Sequence, residues 1–217
     1  WIVSMKIYCV SIGEKYGPQF EKYLENKLGK INWIREQIAP NVPLQWNKMY
    51  PMSLKDTEPV CVIDLDIVLE NDYMDLFNYP IERGEFLSIH GWWRDAPGYT
   101  LNGGFFKYYP IDCNYIYEKF MSSIEKWKVH YIKNKTTIGP VNGEQYFVED
   151  SVNEKLKLKL APSSWVTRWK NDYSHIWFEE LTKKYTEASG EDYLKEDDWN
   201  PNIKLVHYNH TLNYPCG

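Results

Sequence analysis

The stretch Pro59-Val60-Cys61-Val62-Ile63-Asp64-Leu65-Asp66-Ile67-Val68-Leu69-Glu70 constrains this chain more than any other. A short apolar run rich in β-branched residues and opened by a proline predicts a strand buried on both faces. Two carboxylates inside such a run are costly unless a cation compensates them, and no basic residue lies between Pro59 and Leu69. Positions i and i+2 of a strand share a side, so Asp64 and Asp66 are expected to converge while Leu65 faces away. A hard divalent cation, which prefers oxygen ligands, is the simplest partner for them. An acidic pair alone is common on solvated turns; the buried setting is what points to a ligand.

The flanking segments alternate between the two kinds of element. Lys6 to Ile12 reads as a first strand, Gly13 to Gly17 as a turn, and Pro18 as the first residue of a helix closed by Gly29. Phe20, Tyr23, Leu24 and Leu28 form the apolar face of that helix. The turn lacks a GxGxxG fingerprint, so no dinucleotide reading follows. A second short helix is expected over 31–38, stopped by Pro40 and Pro43, and a second strand over 44–50. Beyond the acidic stretch, Asn71 is placed to cap a short helix and residues 85–90 form a strand. Residues 100–109 read as a strand interrupted by Asn102-Gly103-Gly104, where glycine marks a bulge or a close approach of ligand to backbone. Asp112 is placed to cap a helix with Ile116, Phe120, Met121, Ile124 and Trp127 on one face. A helix opening at Gly143-Glu144-Gln145, a strand over 155–160, a helix through Phe178, Leu181, Tyr185 and Ala188, and a final strand over 203–208 complete the chain. The expected architecture is one α/β, Rossmann-like domain over 1–217, a mostly parallel central sheet flanked by helices. Ligands of such sheets sit at the carboxyl ends of the strands, where Asp64 and Asp66 lie.

Charge and hydropathy narrow the partners. A net charge of −5 and a pI near 5.6 argue against nucleic acid and against a polybasic membrane patch. No segment approaches the roughly 18 uninterrupted apolar residues of a membrane span. Lys6 interrupts the stretch from Trp1 to Ile12, which has no small-residue cleavage site and reads as a strand rather than a signal peptide. An opening on Trp1 without methionine suggests a domain excised from something longer. Cys9, Cys61, Cys113 and Cys216 form no CxxC pair, so buried free thiols in a reducing, cytoplasmic compartment are expected. Aromatics make up 17% of the chain, suited to stacking on sugars and bases as well as to core bulk.

Further candidates each carry two readings. His90, Trp92 and Arg94, in the segment His90-Gly91-Trp92-Trp93-Arg94, are contacts for a ligand, or a surface loop with its tryptophans on the core. Tyr16 stacks on a base or packs on the first helix. His207, ending the last strand, is a third metal ligand that favours manganese over magnesium, or a structural histidine. Glu144 and Gln145 are a base and a stabiliser, or residues of a helical first turn, where Glu is favoured anyway.

The order of these motifs carries a resemblance. A hydrophobic strand with Asp64-Leu65-Asp66, then Leu101-Asn102-Gly103-Gly104-Phe105-Phe106, Gly143-Glu144-Gln145-Tyr146-Phe147, Val206-His207-Tyr208 and Asn213-Tyr214-Pro215 resembles the GT-A-fold, DxD-containing nucleotide-sugar glycosyltransferases of retaining type. The small size is similar to glycosyltransferase domains encoded by chloroviruses, which implies a host cytoplasm. The resemblance spans nearly the whole chain. It implies Mn2+ or Mg2+ held by Asp64, Asp66 and His207, with Asp64 also facing the ribose and Ser11 and Tyr16 holding the uracil of a UDP-sugar. It further implies Asn102, Gly103 and Gly104 beside the donor sugar, Glu144 and Gln145 near the anomeric carbon, and a glycan or glycoprotein acceptor. The family's glycine and lysine after the terminal histidine are missing here, which leaves Arg94, Lys170 or His210 to meet the diphosphate. Two other classes compete. A non-catalytic sugar-binding module explains the aromatics but not two buried aspartates. A phosphohydrolase with a nucleophilic DxD is usually followed by a small residue and Thr, whereas Ile67-Val68-Leu69 follows here.

Overall fold

The computed structural model describes residues 5–14, 16–91, 98–134, 143–168 and 201–207. The helix expected through Phe178 and Ala188 lies outside the described residues, as do Trp92, Trp93, Arg94, Lys170, His210 and Cys216.

Among the described residues, a six-stranded sheet is organised around β1 (Lys6–Val10) and β3 (Val60–Ile63). Its remaining strands are β2 (Asn32–Ile34), β5 (Glu85–His90), β6 (Leu101–Tyr108) and β7 (Lys157–Leu160), in the order β2-β1-β3-β6-β5-β7. The β1/β2, β1/β3 and β5/β7 pairings are parallel; β6 runs antiparallel to both neighbours. Side-chain alternation splits the core between the two faces. Ile7, Cys9, Cys61 and Ile63 share one cluster with α1 (Pro18–Leu28), whose Phe20 and Leu24 are fully buried. Burial of each such side chain contributes about 1.5–3 kcal/mol. Pro18 opens that helix, and Gly29, at φ 77°, donates its N–H to the Glu25 carbonyl and closes it. Tyr8, Val60 and Val62 face the other cluster, built from α3 (Pro110–Ser122), α4 (Ile124–Asn134) and α5 (Gly143–Lys155). The expected architecture, a mostly parallel sheet flanked by helices, is the one observed.

Several local expectations are corrected. Residues 31–38 hold no helix; three of them form β2, paired with β1 (Tyr8 opposite Asn32). Residues 44–50 are not a strand but part of a 3-10 helix, Leu44–Ser53. Its buried Trp46, Met49 and Met52 recur every third residue, the period of that helix. Asn47 braces it, accepting the Ile38 N–H at 2.8 Å and donating to the carbonyls of Pro43 and Leu44. Asn71 caps nothing: α2 (Met74–Phe77) follows Tyr73 without a side-chain cap. Asp112 lies in the first turn of α3 rather than before it, and its carboxylate accepts from Arg83 and from the Gly84 N–H. Ser123 separates α3 from α4, so the single helix expected there is two.

The acidic stretch is also not one strand. β3 ends at Ile63, a turn carries Asp64, Leu65 and Asp66, and the chain resumes as β4 (Ile67–Leu69) in a second sheet. That sheet has the order β4-β9-β8, with β8 at Val166–Arg168 and β9 at Leu205–His207. Two fully buried strands in succession have the apolar composition of one long strand, which is why the break is hidden in the residues. Cys9, Cys61 and Cys113 are buried free thiols, and no helix among the described residues is long and apolar enough to cross a membrane.

Glu70, just after β4, gives the fold a pH signature. Its Oε1 is buried without a hydrogen-bond partner, and burial pushes the carboxyl up from 4.5 to about 7 against the opposing pull of Lys27. The folded state then binds a proton that the unfolded state has released, so stability is full below about pH 4.5 and falls as pH rises towards 7. Across that window the loss is about 3 kcal/mol, at roughly 1.4 kcal/mol per pH unit. Denaturant unfolding near pH 5 and near pH 8 should show this difference in the native chain and lose most of it in Glu70→Gln.

Candidate active site

The turn after β3 lies at the carboxyl end of the strand and is held by the neighbouring bulge. The Asp64 N–H donates to the Gly104 carbonyl at 3.1 Å. On β6, Asn102 lies opposite Ile89 and Phe106 opposite Ser88, so Gly103, Gly104 and Phe105 fall in a jump of register. The glycine-marked bulge expected from the residues is present at this point. Its backbone is used from several sides: Gly103 donates its N–H to Gln145 Oε1 at 2.8 Å, and its carbonyl accepts from Lys48 Nζ at 2.8 Å. Asn102 Oδ1 accepts the Gly104 N–H at 2.8 Å. A Cβ on Gly103 would come within 2.9 Å of Lys48 Nζ and 3.0 Å of Gln145 Cγ, so only glycine leaves room for both.

His207, the last residue of β9, reaches the same point from the second sheet. One ligand atom each from Asp64, Asp66 and His207 lies within 4.8 Å of the others. His207 Nε2 stands 3.4 Å from Asp64 Oδ2 and 3.7 Å from Asp66 Oδ1, and it is buried without a hydrogen bond. Two carboxylates and one imidazole nitrogen, converging with an orphaned ring nitrogen between them, fit a divalent cation of the Mn2+ or Mg2+ kind.

Lys48, on the 3-10 helix, is the residue that sequence reasoning missed. Its side chain is 2% exposed, with Nζ 2.6 Å from Asp64 Oδ1 and 3.6 Å from Glu144 Oε1. It was obscured because residues 44–50 read as a strand. The available signal was a lysine in the apolar run Trp46-Asn47-Lys48-Met49, which has no other basic residue between Arg35 and Lys55. Charge sets the balance here. Burial lowers the Lys48 ammonium, but the Asp64 and Glu144 carboxylates more than offset it and hold it above its usual range. Burial raises Asp64, and Lys48 with His207 reverse this to leave it below the usual carboxylate range. Burial likewise lowers His207, and the Asp66 and Asp64 carboxylates raise it overall. Asp64, Asp66 and Glu144 face one permanently charged ammonium among the described residues, which leaves negative charge for a cation to neutralise.

These groups line a cleft of about 470 Å³. Lys48, Asp64, Asp66, Glu144, Gln145 and His207 lie together, and Ser11, Tyr16 and Leu44 belong to the same lining. Ser11 follows β1 and donates its hydroxyl to Glu21 at 2.5 Å. Tyr16 packs on Phe20 with ring centroids 4.8 Å apart and donates its hydroxyl to Asp66 Oδ2 at 2.9 Å. Glu144 and Gln145 open α5 and are buried. Asn102, Gly103 and Gly104 are buried on β6 behind the cleft wall, and His90, half-buried at the end of β5, is not part of the lining.

No family model and no curated protein sequence matches the chain. Solved structures do. The glycosyltransferase GlyE of Streptococcus pneumoniae TIGR4 matches over 95% of this chain and 55% of its own, at 10% identity and a TM-score of 0.54. The galactosyltransferase LgtC, solved with donor and acceptor sugar analogs, matches over 95% of this chain and 87% of its own, at 11% identity and a TM-score of 0.57. LgtC is also known as an active-site mutant carrying glutamate in place of glutamine. Mouse xyloside xylosyltransferase 1 matches over 97% of this chain and 99% of its own, at 9% identity and a TM-score of 0.50. The chain thus spans about half the length of GlyE and most of the length of the other two. At such identities the likeness is one of fold, the GT-A glycosyltransferase fold.

Proposed function

We propose that the chain is a divalent-metal-dependent glycosyltransferase that moves a hexose or deoxyhexose from a nucleotide sugar, UDP-linked, to a glycan or glycoprotein acceptor with retention. The observation that carries this reading is the convergence of Asp64, Asp66 and His207 in the cleft that also holds Lys48, Glu144 and Gln145. The shared fold with solved glycosyltransferases supports it, and the motif order supports the retaining class.

In this reading Asp64, Asp66 and His207 hold Mn2+ or Mg2+, which supplies Lewis-acid neutralisation of the departing diphosphate. Ser11 and Tyr16 line the end of the cleft assigned to the nucleobase, and Asp64 faces the ribose. Lys48 keeps a fixed positive charge beside the carboxylates, so the site meets the diphosphate with cationic groups already in place. Transfer passes through an oxocarbenium-like state, which a buried carboxylate beside the ring stabilises. Glu144 is that carboxylate, compensated by the ammonium 3.6 Å away. Gln145 is anchored through its side-chain carbonyl oxygen to the Gly103 N–H, which fixes its side chain on the bulge. Asn102, Gly103 and Gly104 are assigned to the donor sugar, and His90, Trp92 and Arg94 to the donor sugar or the acceptor.

Thermal unfolding with nucleoside diphosphates and nucleotide sugars, each with and without Mn2+, tests the reading. UDP and a UDP-sugar should raise the melting temperature in the presence of Mn2+, by about 2.7 kcal/mol of stability at a hundred times Kd. If no nucleotide shifts the melt under either condition, the transferase reading fails. Binding of free sugar with no dependence on nucleotide would point instead to a sugar-binding module, and a trapped phosphoaspartate to a phosphohydrolase.

A further inference from the structure

Asp66 is held from two directions. Its Oδ2 accepts the Tyr16 hydroxyl at 2.9 Å, while its Oδ1 faces His207 Nε2 at 3.7 Å. The two oxygens of one carboxylate are thereby distinguished, one engaged outward and one turned towards the point shared with Asp64 and His207.

We infer that Tyr16 is a positioning residue for the cation site: its hydroxyl fixes the Asp66 carboxylate so that Oδ1 stays aimed at the ligand position. The inference rests on the metal reading above. Asp66 needs such a guide because it lies in the turn between β3 and β4, where no strand ladder sets the direction of its side chain. Tyr16 can provide it because its own position is fixed. Its ring packs on the fully buried Phe20, and Gly17 and Pro18 commit the next residues to α1. The hydroxyl donates, and the carboxylate accepts. Donors behind a ligating carboxylate typically govern metal affinity by about 10–100-fold.

The arrangement has a second consequence. Tyr16 belongs to the β1–α1 connection, which lines the same cleft through Ser11, Ile12 and Gly13. The segment that would meet a nucleobase is the segment that orients a metal ligand. A ligand that shifts this connection changes cation affinity, and the cation must change that ligand's affinity by the same factor.

The test is titration of the full chain with Mn2+, alone and beside saturating UDP, following free Mn2+ by electron paramagnetic resonance. Tyr16→Phe keeps the ring and its packing and removes the hydroxyl; Tyr23→Phe removes a hydroxyl of the neighbouring helix that bonds the Leu69 backbone. The expected result is an Mn2+ Kd raised about tenfold or more in Tyr16→Phe and close to the native value in Tyr23→Phe, with Tyr16→Phe retaining its near-UV circular dichroism. An unchanged or tighter Kd in Tyr16→Phe overturns the inference, as does equal weakening in Tyr23→Phe. Equal Mn2+ affinity in the native chain and in Asp66→Asn would remove the metal reading itself. That outcome is separable, because it is seen without any change at Tyr16.

Discussion

Asp66→Ala is expected to reduce glycosyl transfer by on the order of 10²–10³-fold, the loss seen when one preorganised electrostatic contact to a transition state is removed. The fold should survive. Lys48 is bound to Asp64 and not to Asp66, so removing Asp66 leaves that buried pair intact; relief of its crowding with Asp64 is set against loss of the acceptor of the Tyr16 hydroxyl and of one carboxylate facing His207. The melting temperature without metal should therefore stay close to the native one, while the increment produced by Mn2+ disappears. Release of nucleoside diphosphate from the donor, measured beside melts with and without Mn2+, checks both halves. A variant that melts early and loses activity in proportion would show that Asp66 serves the fold, which contradicts the role given to it.

Lys48→Ala should be the most damaging substitution for stability. The ammonium is buried between Asp64 at 2.6 Å and Glu144 at 3.6 Å and also satisfies the Gly103 carbonyl. Removing one member of a buried pair leaves uncompensated charge and costs about 3–5 kcal/mol. Here Asp64 and Glu144 both lose the ammonium beside them. The loss should shrink at acid pH, where protonation removes the orphaned charge, and Mn2+ should stabilise the variant more than the native chain, since it replaces a missing positive charge. Denaturant unfolding at neutral and acid pH, with and without Mn2+, measures both effects. Equal stability of variant and native chain at neutral pH would mean that the pair contributes nothing net.

The contrast between these two residues shows where the sequence is readable. Asp66 stands out because a carboxylate in an apolar run demands an explanation, and the turn around it still delivers both aspartates to one place. They converge for a reason other than the pleat of one long strand: the strand stops at Ile63, and a turn aims them. Lys48 raises the same physical question but sits in a segment that reads as a strand and folds as a 3-10 helix. The three-residue recurrence of Trp46, Met49 and Met52 is short and easily taken for loose alternation. The bulge was legible through Asn102-Gly103-Gly104, because glycine in a strand has few other uses. β2 was not, because three residues are too few to show a period and their state is decided by pairing with β1. The convergence of His207 on the aspartates was legible only from the order of motifs, since nothing local to β9 tells a ligand from a structural histidine.

β9 is the middle strand of the second sheet, flanked by β4 on one side and β8 on the other. Among the described residues β4 and β8 are joined through β9 and not to each other. During synthesis Lys48, Asp64 and Asp66 emerge long before His207. The group of Asp64, Asp66 and His207 is completed by the same strand that joins the small sheet. A nascent chain arrested before Lys204 would lack β9 as well as His207, so cation binding of the proposed kind should report that this last part of the fold is in place.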